Sequence, residues 1–242
     1  MDNLSLNFSV IFFMFIAINL FLIYQIIVNQ LNEFKVVYIL YCMKEHVTIG
    51  IDPSINSTGV CVSGVDNTFN IYYVFPSNIT KKAKAWTDTV DWLTVYDYEK
   101  LSIKEIDKYY EKEFVKFGNL YVLAETLSII LDIIMDKYDV DFVVMEGVSY
   151  GSVKGAALVD LAFLNAMIRL KLVDKKLKYF IVAPTEVKKF AVGNGSAEKS
   201  IIINSWKKLD KKTQEIPDYV KCDDLADAYF MAHYDPRKSD LL

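Results

Sequence analysis

Three short runs rich in β-branched and aromatic residues, Val47–Ile51, Asp141–Met145 and Tyr179–Val182, close on Asp52-Pro53, Glu146-Gly147 and Pro184. Runs this short and apolar read as buried strands, and proline cannot carry a strand ladder onward. Thr58–Val62 and Asn70–Phe75 have the same character and flank turn residues at Ser63–Asn67, so the first three strands read as a meander. Elsewhere the period changes. Leu123, Leu127, Ile130 and Ile134 recur at helical spacing within Leu120–Tyr138, and Gly155–Leu172 reads as a second helix. Thr185 is expected to cap a short helix and Ser196 to cap Ala197–Leu209, with a glycine turn, Gly193-Asn194-Gly195, between them. Asp223–Tyr234 reads as the last helix. The order predicts an α/β fold: a mixed five-stranded sheet, with an antiparallel edge meander followed by parallel strands, flanked by helices.

A different kind of segment precedes this pattern. No charge occurs from Asn3 to Asn32, and eighteen of the twenty-one residues in Phe8–Val28 are apolar. A helix of that length crosses the hydrocarbon core, so residues 1–42 are expected to form a hydrophobic helix. It is either a transmembrane anchor, through 8–28, or leader sequence ahead of a true start at Met43, which opens a natural first strand. Residues 43–242 then make up the remaining domain, expected in the cytoplasm, and at the membrane if the anchor is real. Within that domain 76–117 carries eight acids and five lysines from Trp86 to Phe117, too many for a core element, and reads as a helical insertion.

Composition narrows the chemistry. A formal charge of −4 excludes a globally basic nucleic-acid binder. Three Cys without Cys-x-x-Cys spacing argue for a reducing compartment, and two His leave little room for a His-rich metal site. Carboxylates remain. Asp52 ends the first strand, Glu146 ends the fourth, and Asp224 and Asp227 lie three apart on one face of the last helix. In α/β sheets functional groups collect at the carboxyl ends of parallel strands. Carboxylates gathered there raise one another's pKa, a conflict that a hard divalent cation resolves. Mg²⁺ suits such donors, as does Mn²⁺, and two ions about 3.5–4 Å apart would serve phosphodiester hydrolysis. Taken singly, each acid also reads as a turn residue, a strand end or helix-start charge.

The combination is more specific than its parts. Gly50-Ile-Asp-Pro-Ser54 with Thr58-Gly59 is followed by Val144-Met-Glu-Gly147. Then come Pro184-Thr-Glu-Val-Lys-Lys-Phe-Ala-Val-Gly-Asn-Gly-Ser-Ala-Glu-Lys199 and Asp224-Leu-Ala-Asp-Ala228. This order resembles the RuvC family of Holliday-junction resolvases, in its bacterial and phage version. The likeness runs from about Val47 to Tyr234 and is weakest over 76–117. It implies an RNase H-like fold, a homodimer and Mg²⁺-dependent paired nicking of four-way DNA junctions, in recombination or phage DNA processing. By the resemblance, Asp52, Glu146, Asp224 and Asp227 fall on the family's catalytic metal-binding acids, with Asp223 a rival for the place of Asp224. Lys188 and Lys199 fall on basic positions that contact DNA near the scissile phosphate. The family's aromatic residue that stacks on unpaired bases falls nearest Ser149, with Tyr150 beside it. The N-terminal segment and the length of 76–117 depart from the family.

Seven lysines between Ala183 and Thr213 (188, 189, 199, 207, 208, 211 and 212) outnumber Glu186, Glu198 and Asp210, a local positive face in an acidic chain. Lys188, Lys189 and Lys199 are the DNA-binding candidates, with Gly193 and Gly195 permitting close backbone approach. The lysines from 207 to 212 suit a solvated helix end equally well. Two other readings fit parts of the pattern. An actin- or sugar-kinase-like ATPase would use Gly50–Gly59 as a phosphate turn, but nine glycines do not provide its further glycine-rich loops. A non-catalytic, membrane-anchored scaffold for branched DNA would have no need of a complete acidic set.

Overall fold

In the computed structural model, which describes residues 25–30, 44–76, 78–96, 98, 112–148 and 155–241, the chain divides into Met1–Lys44 and Glu45–Leu242. In the first unit residues 25–30 are helical. The rest of the expected N-terminal helix lies outside the described residues.

The second unit is built on a sheet. Strands β1 (His46–Asp52), β2 (Ser57–Gly64) and β3 (Asn70–Pro76) form the expected antiparallel meander. Strands β5 (Asp139–Glu146) and β6 (Tyr179–Val182) then add in parallel beside β1. The sheet has six strands rather than five, in the order β4-β3-β2-β1-β5-β6. The extra one, β4 (Leu93–Val95), lies inside the stretch read as a helical insertion and pairs parallel to β3. Tyr72 N–H donates to the Trp92 carbonyl (2.8 Å) and Tyr96 N–H to the Val74 carbonyl (2.9 Å). Thr94 and Val95 are strand formers, but three residues are too short to stand out within a polar stretch, and the open edge of β3 pairs them. The same stretch does contain a short helix, α1 (Lys81–Thr87), capped by the Thr80 hydroxyl.

Period-two alternation splits the sheet residues between two cores. Ile49, Ile51, Val60, Val62, Val143 and Met145 face one side. There they meet Leu123, Leu127 and Ile130 of α2 (Lys112–Lys137) and Leu164, Ile168 and Leu172 of α3 (Ala156–Asp174). Helix α2 is long and apolar enough to cross a membrane by length and composition, yet this stripe of it is buried against the sheet. Ion pairs Lys116–Asp160 (3.0 Å), Lys171–Glu125 (2.5 Å) and Lys175–Asp132 (2.5 Å) follow the α2–α3 seam, so the two helices run in parallel. Each joins parallel strands in the manner of a crossover connection.

The opposite core holds Cys61, Tyr72 and Val144 against α5 (Lys199–Leu209) and α6 (Asp223–His233). Helix α4 (Pro184–Val192) completes this layer. Its N-cap is Ala183, not Thr185: Pro184 takes the first helical position and the Glu186 carboxylate accepts from Ala183 N–H (3.2 Å). The cap of α5 is likewise Glu198, because the Ser196 N–H donates to Asn194 Oδ1 (3.0 Å) within the preceding turn.

At the far end of α6, His233 contacts the Tyr229 carbonyl through Nδ1 (2.7 Å) and the Ser63 hydroxyl through Nε2 (3.2 Å). Burial pushes its pKa down. A lowered histidine pKa means that the unfolded chain binds more protons, so this group's stabilisation is lost as pH falls below about 6.5. His233→Gln is therefore expected to flatten the fall in urea midpoint between pH 7.5 and 5. The parent–variant difference isolates His233 from exposed His46, whose bond to Asp141 shifts it upward. An unchanged slope would show that His233 contributes nothing to acid sensitivity.

Candidate active site

Asp52 and Glu146 are brought together by register. In the parallel pair β1–β5, Ile51 lies opposite Met145, so the next residues, Asp52 and Glu146, emerge side by side at the carboxyl ends of neighbouring strands. Pro53 stops β1, and the turn after it is closed by Thr58, whose hydroxyl donates to the Ser54 carbonyl (2.8 Å). Gly147 N–H donates to the Val182 carbonyl (2.8 Å), which fixes the backbone just beyond Glu146.

Helix α6 delivers the other two acids, and two glycines let it do so. A Cβ on Gly59, which pairs with Asp52 across β1–β2, would lie 2.3 Å from the Asp224 carbonyl oxygen. A Cβ on Gly50 would lie 2.0 Å from the Ala228 carbonyl oxygen and 2.4 Å from Ala232 N. The helix backbone thus rests directly on β1 and β2, with its first turn over Asp52. In sequence both glycines read only as parts of motifs or, in the ATPase alternative, as ends of a phosphate turn. Their spacing carries no signal of helix contact, which is tertiary.

All four carboxyls interact electrostatically. Asp52 is 6% exposed and its pKa is raised well above the ordinary range, by burial first, then by the charge of Glu146 and a hydrogen bond to it, and by Asp227 and Asp224. Burial and Asp223 push Asp224 up to about 6, against the Ser57 hydroxyl that it accepts from and the charges of Lys221 and Lys199. Burial and Glu146 push Asp227 up to about 7, opposed by Lys199 and Lys188. Asp223 behaves differently. Burial raises its pKa, but the Lys199 ammonium at 2.8 Å and Lys221 at 3.9 Å outweigh that, and the net shift is downward. So Asp224, not Asp223, shares the buried site.

The donor set fits a hard divalent cation: every donor is oxygen, and like charges crowd a desolvated place. Among the described residues no three His, Cys, Asp or Glu side chains already stand as a cage around one point.

The basic candidates separate into groups. Lys188 lines a small cleft with Glu146 and Asp227. Lys199 bonds Asp223; burial disfavours its charge, but Asp223 and the fields of Asp224 and Asp227 win and raise its pKa. Lys189 is exposed on α4. Two others turn back onto the protein. Lys207 donates to the Ile216 carbonyl (3.3 Å), and Lys212 donates to the Asn70 carbonyl with its ammonium 5.5 Å from the centres of the Tyr72 and Trp92 rings. Lys221, not singled out by sequence, stands 4.0 Å from Asp224. Gly193 has φ of 76° and ends α4 in the left-handed region, and a Cβ on Gly195 would lie 2.8 Å from the Thr185 carbonyl oxygen, so backbone conformation accounts for the first and packing for the second. Tyr150 lies outside the described residues.

The family model of the crossover junction endodeoxyribonuclease RuvC matches residues 108–233. The chain is 30% identical over 121 residues to the crossover junction endodeoxyribonuclease RuvC of Helicobacter pylori, covering 49% of this chain and 74% of that one. To the protein of the same name from Helicobacter acinonychis it is 28% identical over the same length and shares. A Thermus thermophilus RuvC structure is similar at 16% identity and a TM-score of 0.48, over 77% of this chain and 90% of that one. Asp52 lies ahead of the family match, while Glu146, Asp224 and Asp227 lie within it. By a match that takes in more than half of its length, the chain belongs to the RuvC family.

Proposed function

We propose that this protein is a metal-dependent endonuclease that resolves four-way DNA junctions by paired phosphodiester hydrolysis. The observation that carries this is the convergence of Asp52, Glu146, Asp224 and Asp227 from two strands and one helix, with Lys188 and Lys199 within electrostatic reach. These four acids would hold Mg²⁺ or Mn²⁺, two ions in the full site. When bound, the ions activate water and stabilise charge at the reacting phosphate. Ser57 lies beside Asp224 and favours its charged form, and Asp52 and Glu146 face each other at the ends of adjacent strands. Lys188, Lys189 and Lys199 draw the flanking phosphates into register.

Paired nicking calls for two sites, and a second copy of the chain supplies the other. The α3 side chains Val159, Phe163, Leu170 and Val173, each about half exposed, share one helical face. Phe117 of α2 extends that face through its ring contact with Phe163 (5.5 Å). We assign this face to the homodimer.

The test uses full-length protein in detergent with a synthetic four-way junction. Symmetric nicks that require Mg²⁺ and leave ligatable ends are expected. A Phe163→Glu, Leu170→Glu double variant is expected to sediment as a monomer and to nick single strands without pairing them. Junction binding with no nicks in either Mg²⁺ or Mn²⁺ would replace the nuclease reading with a binding scaffold.

A further inference from the structure

A fifth carboxyl adjoins the four. Asp223 stands one residue before Asp224, its side chain 16% exposed, and its charge is one of the causes that raise the Asp224 pKa. An acid in this place that holds no metal works against the site beside it. Cations offset it. Asp223 Oδ2 accepts from the Lys199 ammonium at 2.8 Å, and Asp223 Oδ1 lies 3.9 Å from the Lys221 ammonium. The first of these contacts ties the opening residue of α5 to the opening residue of α6.

Lys199 alone is poorly prepared to meet a phosphate. Its side chain is 62% exposed and carries its charge on a flexible four-carbon stem, so an untethered ammonium sweeps a wide arc and loses rotamer freedom when DNA arrives. The same stem lets it fold onto Asp224 and Asp227, whose fields already reach it. Tied to Asp223, the ammonium keeps one position, beside the acids and outside them. An ammonium has three donors, so this bond leaves two for phosphate oxygens. The plainer role for an acid here is to complement the helix start, and that role needs no lysine twenty-four residues away.

We propose that Asp223 is a positioning residue: it holds the Lys199 ammonium where a phosphate flanking the cut must lie, so that the strand settles in register over the four acids. The inference rests on the nuclease reading and deepens it. Asp223 touches neither DNA nor metal in this role and acts through Lys199. Its own charge repels DNA, so it trades some affinity for register.

The experiment uses full-length protein and a synthetic four-way junction. Nicking is timed in Mg²⁺ with protein in saturating excess, and binding is measured with Ca²⁺ in place of Mg²⁺. The variants are Asp223→Asn, Lys199→Met, the two combined, and Asp223→Glu. Asp223→Asn should bind the junction at least as tightly as the parent, because an anion facing DNA is gone. It should nonetheless nick about ten-fold more slowly, the upper end of what pre-ordering one long side chain is worth. In the Lys199→Met background the same substitution should change the rate by less than about two-fold, since the group it acts through is absent. Asp223→Glu restores the charge and should recover most of the rate; where Lys199→Met nicks too slowly to time, this rescue decides instead. A ten-fold loss that persists without Lys199, or that Asp223→Glu fails to rescue, would make Asp223 a structural charge and overturn the inference. Asp223→Asn that binds more tightly and nicks at the parent rate would overturn it too, leaving Asp223 a repulsive charge only. Both outcomes leave the nuclease reading standing. A parent protein that nicks no junction would overturn that reading and this inference with it.

Discussion

Replacing Asp52 with Asn is expected to lower junction nicking by about three orders of magnitude while making the metal-free protein more stable. Both effects have one cause. Asp52 is 6% exposed and faces Glu146, Asp224 and Asp227, so the fold carries a carboxyl that water no longer solvates and like charges oppose. Asn keeps the shape and can still donate to Glu146, but it brings no charge. In EDTA the variant should melt several degrees higher, at about 2–4 °C per kcal/mol for a domain of this size. Adding Mg²⁺ should then stabilise the parent and leave the variant almost unmoved, because only the parent keeps the complete donor set. A variant that melts lower in EDTA, or that nicks at the parent rate, would remove Asp52 from the site.

Gly59→Ala is expected to lower nicking about 100-fold, by a different route. The new methyl would stand 2.3 Å from the Asp224 carbonyl oxygen, a contact with backbone that no side-chain rotation relieves. Helix α6 must lift, at a cost of about 2–3 kcal/mol for overpacking. Asp224 and Asp227 lift with it, and a misplacement of about 1 Å costs about 100-fold in rate. Gly50→Ala, with clashes at 2.0 and 2.4 Å, should cost more stability still. Assays well below the melting temperature separate the two losses. A folded Gly59→Ala variant with full nicking would mean that α6 does not position the acids.

These two cases show what a sequence of this kind exposes and what it hides. Asp52 and Glu146 are legible because an apolar run that stops at an acid marks a strand end, and parallel strands gather such ends. Asp224 against Asp223 is not legible from spacing, since both sit in the first turn of α6. Their difference comes from Lys199 and Ser57, distant in sequence. Strand β4 is hidden because its only support is the edge of β3. The lysines at 207 and 212 read in sequence as either a DNA-facing surface or a solvated helix end, and the structure gives neither: carbonyls of Ile216 and Asn70 hold them. Gly50 and Gly59 are visible as glycines, and only the packed helix says what they are for.

The central claim is that four acids from three elements form one metal site. Titrating full-length protein with Mn²⁺ and following free Mn²⁺ by electron paramagnetic resonance tests it without DNA or turnover. Asp52→Asn, Glu146→Gln, Asp224→Asn and Asp227→Asn are each expected to weaken binding at least about ten-fold, as loss of a ligand or its immediate support does. Asp223→Asn should leave it within about two-fold of the parent, because Asp223 is held by Lys199 outside the site. Parent protein that binds no Mn²⁺, or a site lost with Asp223 and kept without Asp224, would contradict the account.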